Sequence, residues 1–236
     1  MTRMLLVMLL SLWVLSANAQ LPPPFVAEYR ISMGFLNLGK AERELRRDGD
    51  GLVYISRSRT AGMVSWLVKE NLTETSQVEW TGDRVRPLLY HKKRLGKKKQ
   101  DIEQRFDWQQ GKVYSRVNDA RYVFDLPPEG LDQNMYQLSL MVDLAAGKRN
   151  MDYAVAGNDK FRRYPIRMIG REAVDTPWGR LQTIVIQRKE KKVTTTMWCA
   201  PRLHYLPVRI GHEEKGNRFT AELQALQGMS LLPGAE

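Results

Sequence analysis

The sequence predicts an all-β protein in which a strongly curved antiparallel sheet, a half-barrel or near-barrel, encloses one buried α-helix. Three observations lead to this fold class. Apolar and polar residues alternate with a period of two along much of the chain. Clusters of Gly, Asn and Asp divide the alternating stretches into short runs. The stretch between residues 131 and 147 instead repeats its apolar residues every three or four positions, which is the helical period.

The strand pattern is clearest in three stretches. Their apolar faces are Phe219, Ala221, Leu223 and Ala225 in the first, Leu72, Val78 and Trp80 in the second, and Ile102, Phe106 and Trp108 in the third. The intervening residues are mostly polar, as in strands with one face in the core and the other in water. Turn signals lie at 48–51, 81–83, 109–111, 157–159 and 214–217. Roughly a dozen strands joined in this way favour a meander that curls into a barrel or sandwich.

The helix is predicted to run from about Asp132 to Ala146, with Asp132 as its N-cap and Gly147 as its stop. Its apolar stripe consists of Met135, Leu138, Val142 and Ala145. Leu140 and Leu144 make the opposite face apolar as well. A helix that is apolar on all sides is typically buried, so we expect it to fill the concave side of the sheet.

The first 19 residues have the features of a cleavable signal peptide. Arg3 precedes an apolar core at 5–15, and Ala17–Ala19 forms a small-x-small cleavage site. The apolar core is shorter than the 20 or so residues that a membrane-spanning helix needs. Gln20, not Cys, follows the predicted cleavage site, so no lipoprotein anchor is predicted. We therefore expect a soluble periplasmic protein with a single domain over residues 20–236 and a net charge of +10.

Four groups of residues carry a resemblance to a known family. They are Tyr29 with Gly34 and Gly39; Leu131-Asp132 with Leu138-Ser139; Gly170-Arg171-Glu172 with Thr176-Pro177 and Gly179; and Trp198 with Ala200-Pro201 and Tyr205-Leu206-Pro207-Val208-Arg209-Ile210. In these residues, which span nearly the whole mature chain, the sequence resembles the bacterial domain of unknown function 3108 family. The resemblance implies an envelope-located, β-rich protein with a curled antiparallel sheet or half-barrel. It implies no catalytic residue.

The sequence gives little support for an enzyme. Cys199 with His204 and His212 is the one set that resembles a nucleophile with a base, and Cys199 lies in an apolar stretch typical of an inert buried thiol. The histidines, His91 included, lack the spacing of metal ligands. No catalytic residue, metal or cofactor is predicted, and an envelope hydrolase is the least favoured alternative.

A basic stretch is the most distinctive local feature. It consists of Lys92, Lys93, Arg94, Lys97, Lys98 and Lys99. Gly96 suits a hairpin tip, and a cationic tip concentrates anions around it. In the periplasm the available anions include lipid headgroups and lipopolysaccharide phosphates. A solvated loop is the alternative interpretation of such a charge run. Nucleic acid is not an expected partner, since export separates the protein from it.

Apolar residues complete the functional prediction. The candidate lining of a ligand cavity is Met63, Trp66, Met135, Leu138 and Val142. These residues either hold acyl chains or simply fill the core. Together, the features predict a non-catalytic exported protein that binds an amphiphilic component of the cell envelope, such as lipid or lipopolysaccharide, or an anionic membrane surface. The alternative is an accessory or scaffold protein of an envelope assembly that acts through contacts with a protein partner.

Overall fold

The computed structural model describes residues 20–60, 71–82, 84–96 and 99–233. The predicted signal peptide, Met63 and Trp66 lie outside these residues. The strands are β1 (Phe25–Met33), β2 (Leu36–Asp48), β3 (Gly51–Thr60), β4 (Asn71–Trp80), β5 (Val85–Leu95), β6 (Gln100–Asp107), β7 (Lys112–Val117), β8 (Ala120–Asp125), β9 (Gly130–Leu131), β10 (Asn150–Ala156), β11 (Phe161–Thr176), β12 (Gly179–Glu190), β13 (Val193–Ala200), β14 (Leu206–Glu214) and β15 (Asn217–Gln227). The helix α1 spans Tyr136–Ala145, and Pro201–Leu203 forms one 3-10 turn.

All fifteen strands belong to one sheet, in which most neighbours are consecutive in sequence. Every neighbouring pair is antiparallel except β9 with β10, which run parallel. Strand β1 pairs with β15, so the beginning and the end of the described chain meet in the middle of the sheet. Its two edges are therefore β8 and β9. The predicted turns all lie between consecutive strands, and the predicted fold class is confirmed.

The two ends of the sheet overlap instead of joining. On β6, the Nε2 of Gln104 donates a hydrogen bond of 2.6 Å to the carbonyl of Gly157 in the β10–β11 turn. On β7, the Oγ of Ser115 donates to the next carbonyl of that turn at 2.7 Å. On β8, the ring of Phe124 packs edge-on against Phe161 with the ring centroids 5.5 Å apart. Side chains, not a backbone ladder, thus connect the two ends of the sheet, which stays open.

Helix α1 fills the concave side of the sheet. Leu138 and Met141 pack into the largest cluster of buried residues, with side chains of β1, β3 and β15. Leu140 and Leu144 pack into a second cluster with side chains of β10 to β13. The prediction of a buried helix that is apolar on nearly every side is therefore confirmed. Within the described residues, no helix is both long and apolar enough to cross a membrane.

The start of the helix differs from the prediction. It begins at Tyr136 with Met135 as the N-cap residue, so the choice of Asp132 as N-cap was wrong. The Oδ1 of Asp132 instead accepts the backbone N–H groups of Asn134 and Met135, both at 2.8 Å. The carboxyl group therefore stabilises the turn that leads into the helix, as Asp side chains commonly do. The predicted stop at Gly147 is confirmed by its φ of 83°.

Candidate functional site

Several hairpin turns project from the same end of the sheet, because alternate turns of an antiparallel meander share one end. Ladder pairs across β3 and β4 place Lys40 on β2 level with Leu95 on β5. Pairs across β15, β14 and β13 place Ser32 on β1 level with Gln187 on β12. The β1–β2, β5–β6, β12–β13 and β14–β15 turns consequently extend beyond the sheet on one side.

Exposed apolar side chains concentrate on these turns. Phe35 in the β1–β2 turn is fully exposed, and its neighbours Met33 and Leu36 are 37% and 46% exposed. Leu95 beside the β5–β6 turn is 45% exposed. These four account for half of the eight large apolar side chains that are exposed in the described residues. Exposure of apolar side chains to water is unfavourable, so apolar residues at hairpin tips indicate a contact surface.

The same turns carry lysines. The exposed ones are Lys99, Lys189, Lys191, Lys192 and Lys215. Acidic side chains nearby are engaged by arginines: Glu190 lies 3.0 Å from Arg188, and Glu213 lies 3.0 Å from Arg218. The turns therefore present a net positive, partly apolar surface. We call these five lysines, with Met33, Phe35, Leu36 and Leu95, the lysine rim.

The opposite end of the sheet has a different charge pattern. Its turns expose Asp48 and Asp50, and Asp125 and Glu129 lie at the end of β8 and just beyond it. Cations accompany some of these acids, as in the 2.6 Å contact between Asp125 and Lys112. This end carries charges of both signs, whereas the lysine rim is dominated by one.

The described residues of the predicted anion-binding stretch point in different directions. Lys93 and Lys99 are exposed to solvent, and Arg94 is half-buried. Lys92 points inward: its Nζ lies 3.3 Å from Gln133 Oε1 and 4.0 Å from Glu74 Oε1. Lys92 thus holds the segment before α1. Lys97 and Lys98 lie outside the described residues.

The predicted apolar lining lies mainly in the packed interior. Met135 and Leu138 have no exposed surface. Val142 borders a cavity of about 120 Å³ between α1 and the strands β5, β9 and β10. Its other lining residues include Leu131, Ser139, Asp143, Lys148 and Tyr153. A cavity of about 150 Å³ accommodates benzene, so this one accommodates a few heavy atoms and not an acyl chain.

Cys199 is packed as a small apolar side chain. It is completely buried in the second core cluster beside Ile184 and Met197. Burial raises the pKa of the Cys199 thiol far above its ordinary value, because a thiolate is poorly solvated there. A neutral thiol is a weak nucleophile. Within the described residues, no group of three or more His, Cys, Asp or Glu side chains is arranged to hold a metal ion.

The fold and the site define an open, helix-filled β-barrel with a cationic, apolar rim at one end. The chain belongs to the family described as Protein of unknown function (DUF3108), which matches residues 28–224. It is also similar to the crystal structure of a β-barrel-like protein of domain of unknown function DUF1849 from Brucella abortus. That likeness has 10% identity and a TM-score of 0.58, and it covers 89% of this chain and 98% of that one, so it concerns the fold alone. No curated protein matches the chain.

Sequence reasoning missed the apolar part of the rim. The available signal was the turn Met33-Gly34-Phe35-Leu36, in which apolar residues flank a Gly with a φ of 58°. Turns at the surface are usually polar, so such a composition indicates a contact with something other than water. The basic stretch drew attention to only one of the four turns that form the rim.

Proposed function

We propose that the protein is exported to the periplasm and there binds, without catalysing a reaction, an anionic amphiphile of the cell envelope through the lysine rim. The amphiphile is a lipid or lipopolysaccharide molecule that remains in the membrane leaflet while the protein binds it. The lysines contact the anionic headgroups, and Phe35 inserts among the acyl chains. Since α1 fills the concave side of the sheet, the ligand is engaged at the rim and not enclosed in the barrel.

The observation that carries this proposal is a fully exposed phenylalanine at the same end of the sheet as the five exposed lysines. Near an anionic surface each lysine contributes about 1 kcal/mol, and burial of a Phe side chain contributes about 1.5–3 kcal/mol. Five lysines and one Phe therefore support reversible association, with Kd about micromolar. The charged part of this free energy is screened by salt, whereas the apolar part is not.

The export part of the proposal rests on the first 19 residues of the sequence, with Arg3, the apolar core and the Ala17–Ala19 site. Expression in a Gram-negative host is expected to yield a periplasmic protein that begins at Gln20. Mass spectrometry of the osmotic-shock fraction measures this directly. A full-length protein retained in the cytoplasm would contradict the proposal.

Binding is tested by sedimentation with vesicles. We expect binding to vesicles that contain phosphatidylglycerol, weaker binding at high salt, and little binding to pure phosphatidylcholine. Replacement of Lys189, Lys191 and Lys192 by Glu reverses three charges and is expected to weaken binding by about tenfold or more. Phe35→Ser is expected to weaken binding by several-fold, with the salt dependence retained.

Two matched controls separate the rim from general charge and hydrophobicity. Replacement of Arg46, Arg47 and Arg180 by Glu changes the net charge equally at the opposite end of the sheet. Leu88→Ser removes an exposed apolar side chain, 40% exposed, from β5. Both variants are expected to bind vesicles like the wild type. Equal losses in the rim variants and their controls would contradict a rim-specific site.

The second candidate function is that of an accessory or scaffold protein of an envelope assembly. The observation that favours it is β8, whose outer edge ends the sheet and whose side chains are largely exposed. In situ crosslinking followed by mass spectrometry distinguishes the two functions. Crosslinking of one protein partner to β8, at a level that substitutions in the lysine rim leave unchanged, would favour the scaffold.

A further inference from the structure

The two edges of the sheet are treated differently by the fold. Strand β9 contains two residues, both buried, so it offers almost no edge. Strand β8 is six residues long and pairs with β7 in one continuous register, from Val117↔Ala120 to Lys112↔Asp125. Because β8 is the last strand in the sheet order, its outer backbone groups face away from the ladder.

Apart from the charges of Arg121 and Asp125, strand β8 lacks the features that usually prevent an edge from pairing. Natural edge strands carry Pro, Lys, an inward charge or a bulge. The sequence of β8, ARYVFD, contains neither Pro nor Lys, and its register with β7 is regular. Val123 is 60% exposed and Tyr122 is 40% exposed. An edge of this kind is a template for another strand.

The charges on β8 are complementary to those of a second, antiparallel copy of β8. Antiparallel pairing about a two-fold axis at Val123 places Arg121 of each copy opposite Asp125 of the other. Side chains that lie opposite each other in this way share a face of the sheet, so they form two equivalent ion pairs. Tyr122 then lies opposite Phe124 on the inner face.

Neighbouring registers do not match. Two residues that lie opposite each other must have their side chains on the same face of the sheet. The nearest alternative registers therefore have their two-fold axis one residue earlier or later, at Tyr122 or at Phe124. An axis at Tyr122 places Asp119 opposite Asp125, which repel each other. An axis at Phe124 places Val123 opposite Asp125 and leaves Arg121 beyond the ladder. Charge complementarity therefore selects the axis at Val123.

The neighbours on β7 are compatible with this pairing. Asp125 Oδ1 lies 2.6 Å from Lys112 Nζ, so the second carboxylate oxygen is available on a side chain that is 89% exposed. Arg121 lies opposite Arg116, whose guanidinium group is within 3.4 Å of Asp101. In the antiparallel pairing, Asp125 of the second copy is the acidic partner of Arg121.

We propose that two copies of this protein associate edge to edge through β8, in the antiparallel register with its two-fold axis at Val123. The two curved sheets become one continuous sheet of thirty strands. The shared ladder is about 20 Å long, which corresponds to a reversible dimer and not an obligate one. This proposal is independent of the binding of amphiphiles by the lysine rim.

Disulfide trapping tests the axis. Residues directly opposite in an antiparallel pair have Cα atoms about 4.5–5.5 Å apart, within the range of a disulfide. Oxidised Val123→Cys protein is expected to form a covalent dimer in high yield. The native Cys199 is completely buried, so the wild type reports the background. Arg121→Cys and Asp125→Cys are matched controls on the same strand: each alone is expected to stay at background, and a mixture of the two is expected to crosslink.

Charge exchange tests the ion pairs. In the Val123→Cys background, Arg121→Asp is expected to lower the crosslinking rate by about tenfold, and the added change Asp125→Arg is expected to restore it. Equal rates for Cys at 121, 123 and 125 would overturn the proposal, as would a failure of the charge exchange to restore the rate. A protein that shows no trapping at 123, but whose β8 is protected by an extended peptide of another protein, would assign the edge to that partner instead.

Discussion

Two joins in this molecule connect segments that are far apart in sequence, and they are built differently. Where β1 meets β15, a backbone ladder runs over seven residue pairs, from Val26↔Gln227 to Ser32↔Thr220. Where β6 to β8 cover the β10–β11 turn, the contacts are made by side chains such as Gln104 and Phe124. The first join uses groups that every residue has, whereas the second depends on a few particular residues.

The difference predicts different stabilities. The β1–β15 join is covered by α1, and the phenol of Tyr29 adds a buried hydrogen bond of 2.9 Å to the carbonyl of Pro207. The overlap has a smaller core cluster, in which Phe124 and Phe161 are only partly buried. Regions with fewer buried contacts open at lower free energy than the global unfolding. We therefore expect the overlap to open locally while the β1–β15 join opens only in global unfolding.

The largest expected effect concerns α1 beneath the β1–β15 join. Leu138→Ala is expected to lower the free energy of unfolding by about 2–5 kcal/mol, because it removes a fully buried side chain from the largest cluster. Urea denaturation followed by circular dichroism measures the change. Leu36→Ala, on a side chain that is 46% exposed, is the control and is expected to change stability little. Similar losses for the two variants would contradict the central role of α1.

The sequence predicted the backbone-built part of the fold better than the side-chain-built part. Alternation such as that of Phe219 to Ala225 indicates strands and their inner faces, because it follows directly from the two-residue period of a strand. The overlap at Gln104 and Phe161 could not be predicted, since it depends on twist and curvature summed over fifteen strands. The N-cap was misplaced because an Asp stabilises turns and helix starts through the same hydrogen bonds.

The candidate site was predicted in the same uneven way. Lysines at 92–99 are visible as a charge run, but inward and outward directions depend on register, and Lys92 faces Glu74 inside the barrel. Lys189, Lys191, Lys192 and Lys215 join the rim only because alternate turns of the meander lie at the same end of the sheet. A surface assembled from four turns has no signal in any single stretch of sequence.

The next effect is a dependence of stability on pH at the turn that leads into α1. Burial raises the pKa of Asp132 from 3.8 to about 7, despite the backbone hydrogen bonds that it accepts. Between these pH values the folded state binds this proton more tightly than the unfolded state, so the contribution of Asp132 to stability falls as the pH rises. The slope is about 1.4 kcal/mol per pH unit, or roughly 3 kcal/mol over two units.

Asp132→Asn tests this dependence, because the amide keeps an oxygen acceptor for the turn but does not ionise. Urea denaturation between about pH 4.5 and about pH 6.5 is expected to show a flatter pH profile in this variant than in the wild type. Asp48→Asn, in an exposed turn, is the control and is expected to leave the profile unchanged. A pH profile that Asp132→Asn leaves unaltered would count against a buried, proton-binding carboxyl group.

The smallest effect is expected at the overlap and distinguishes the two joins most directly. Gln104→Met keeps the length of the side chain but removes the donor that reaches Gly157, so a buried carbonyl loses its partner at a cost of about 1–3 kcal/mol. Gln187→Met is the matched control on β12, where the amide donates to Thr196 at the sheet surface. Hydrogen exchange in Gln104→Met is expected to accelerate in β7 and β8 and to stay unchanged in β1 and β15. If exchange accelerated in all four strands, the overlap and the backbone join would unfold as one cooperative unit. Loss of the Gln104 contact would then lower the free energy of opening equally at both joins.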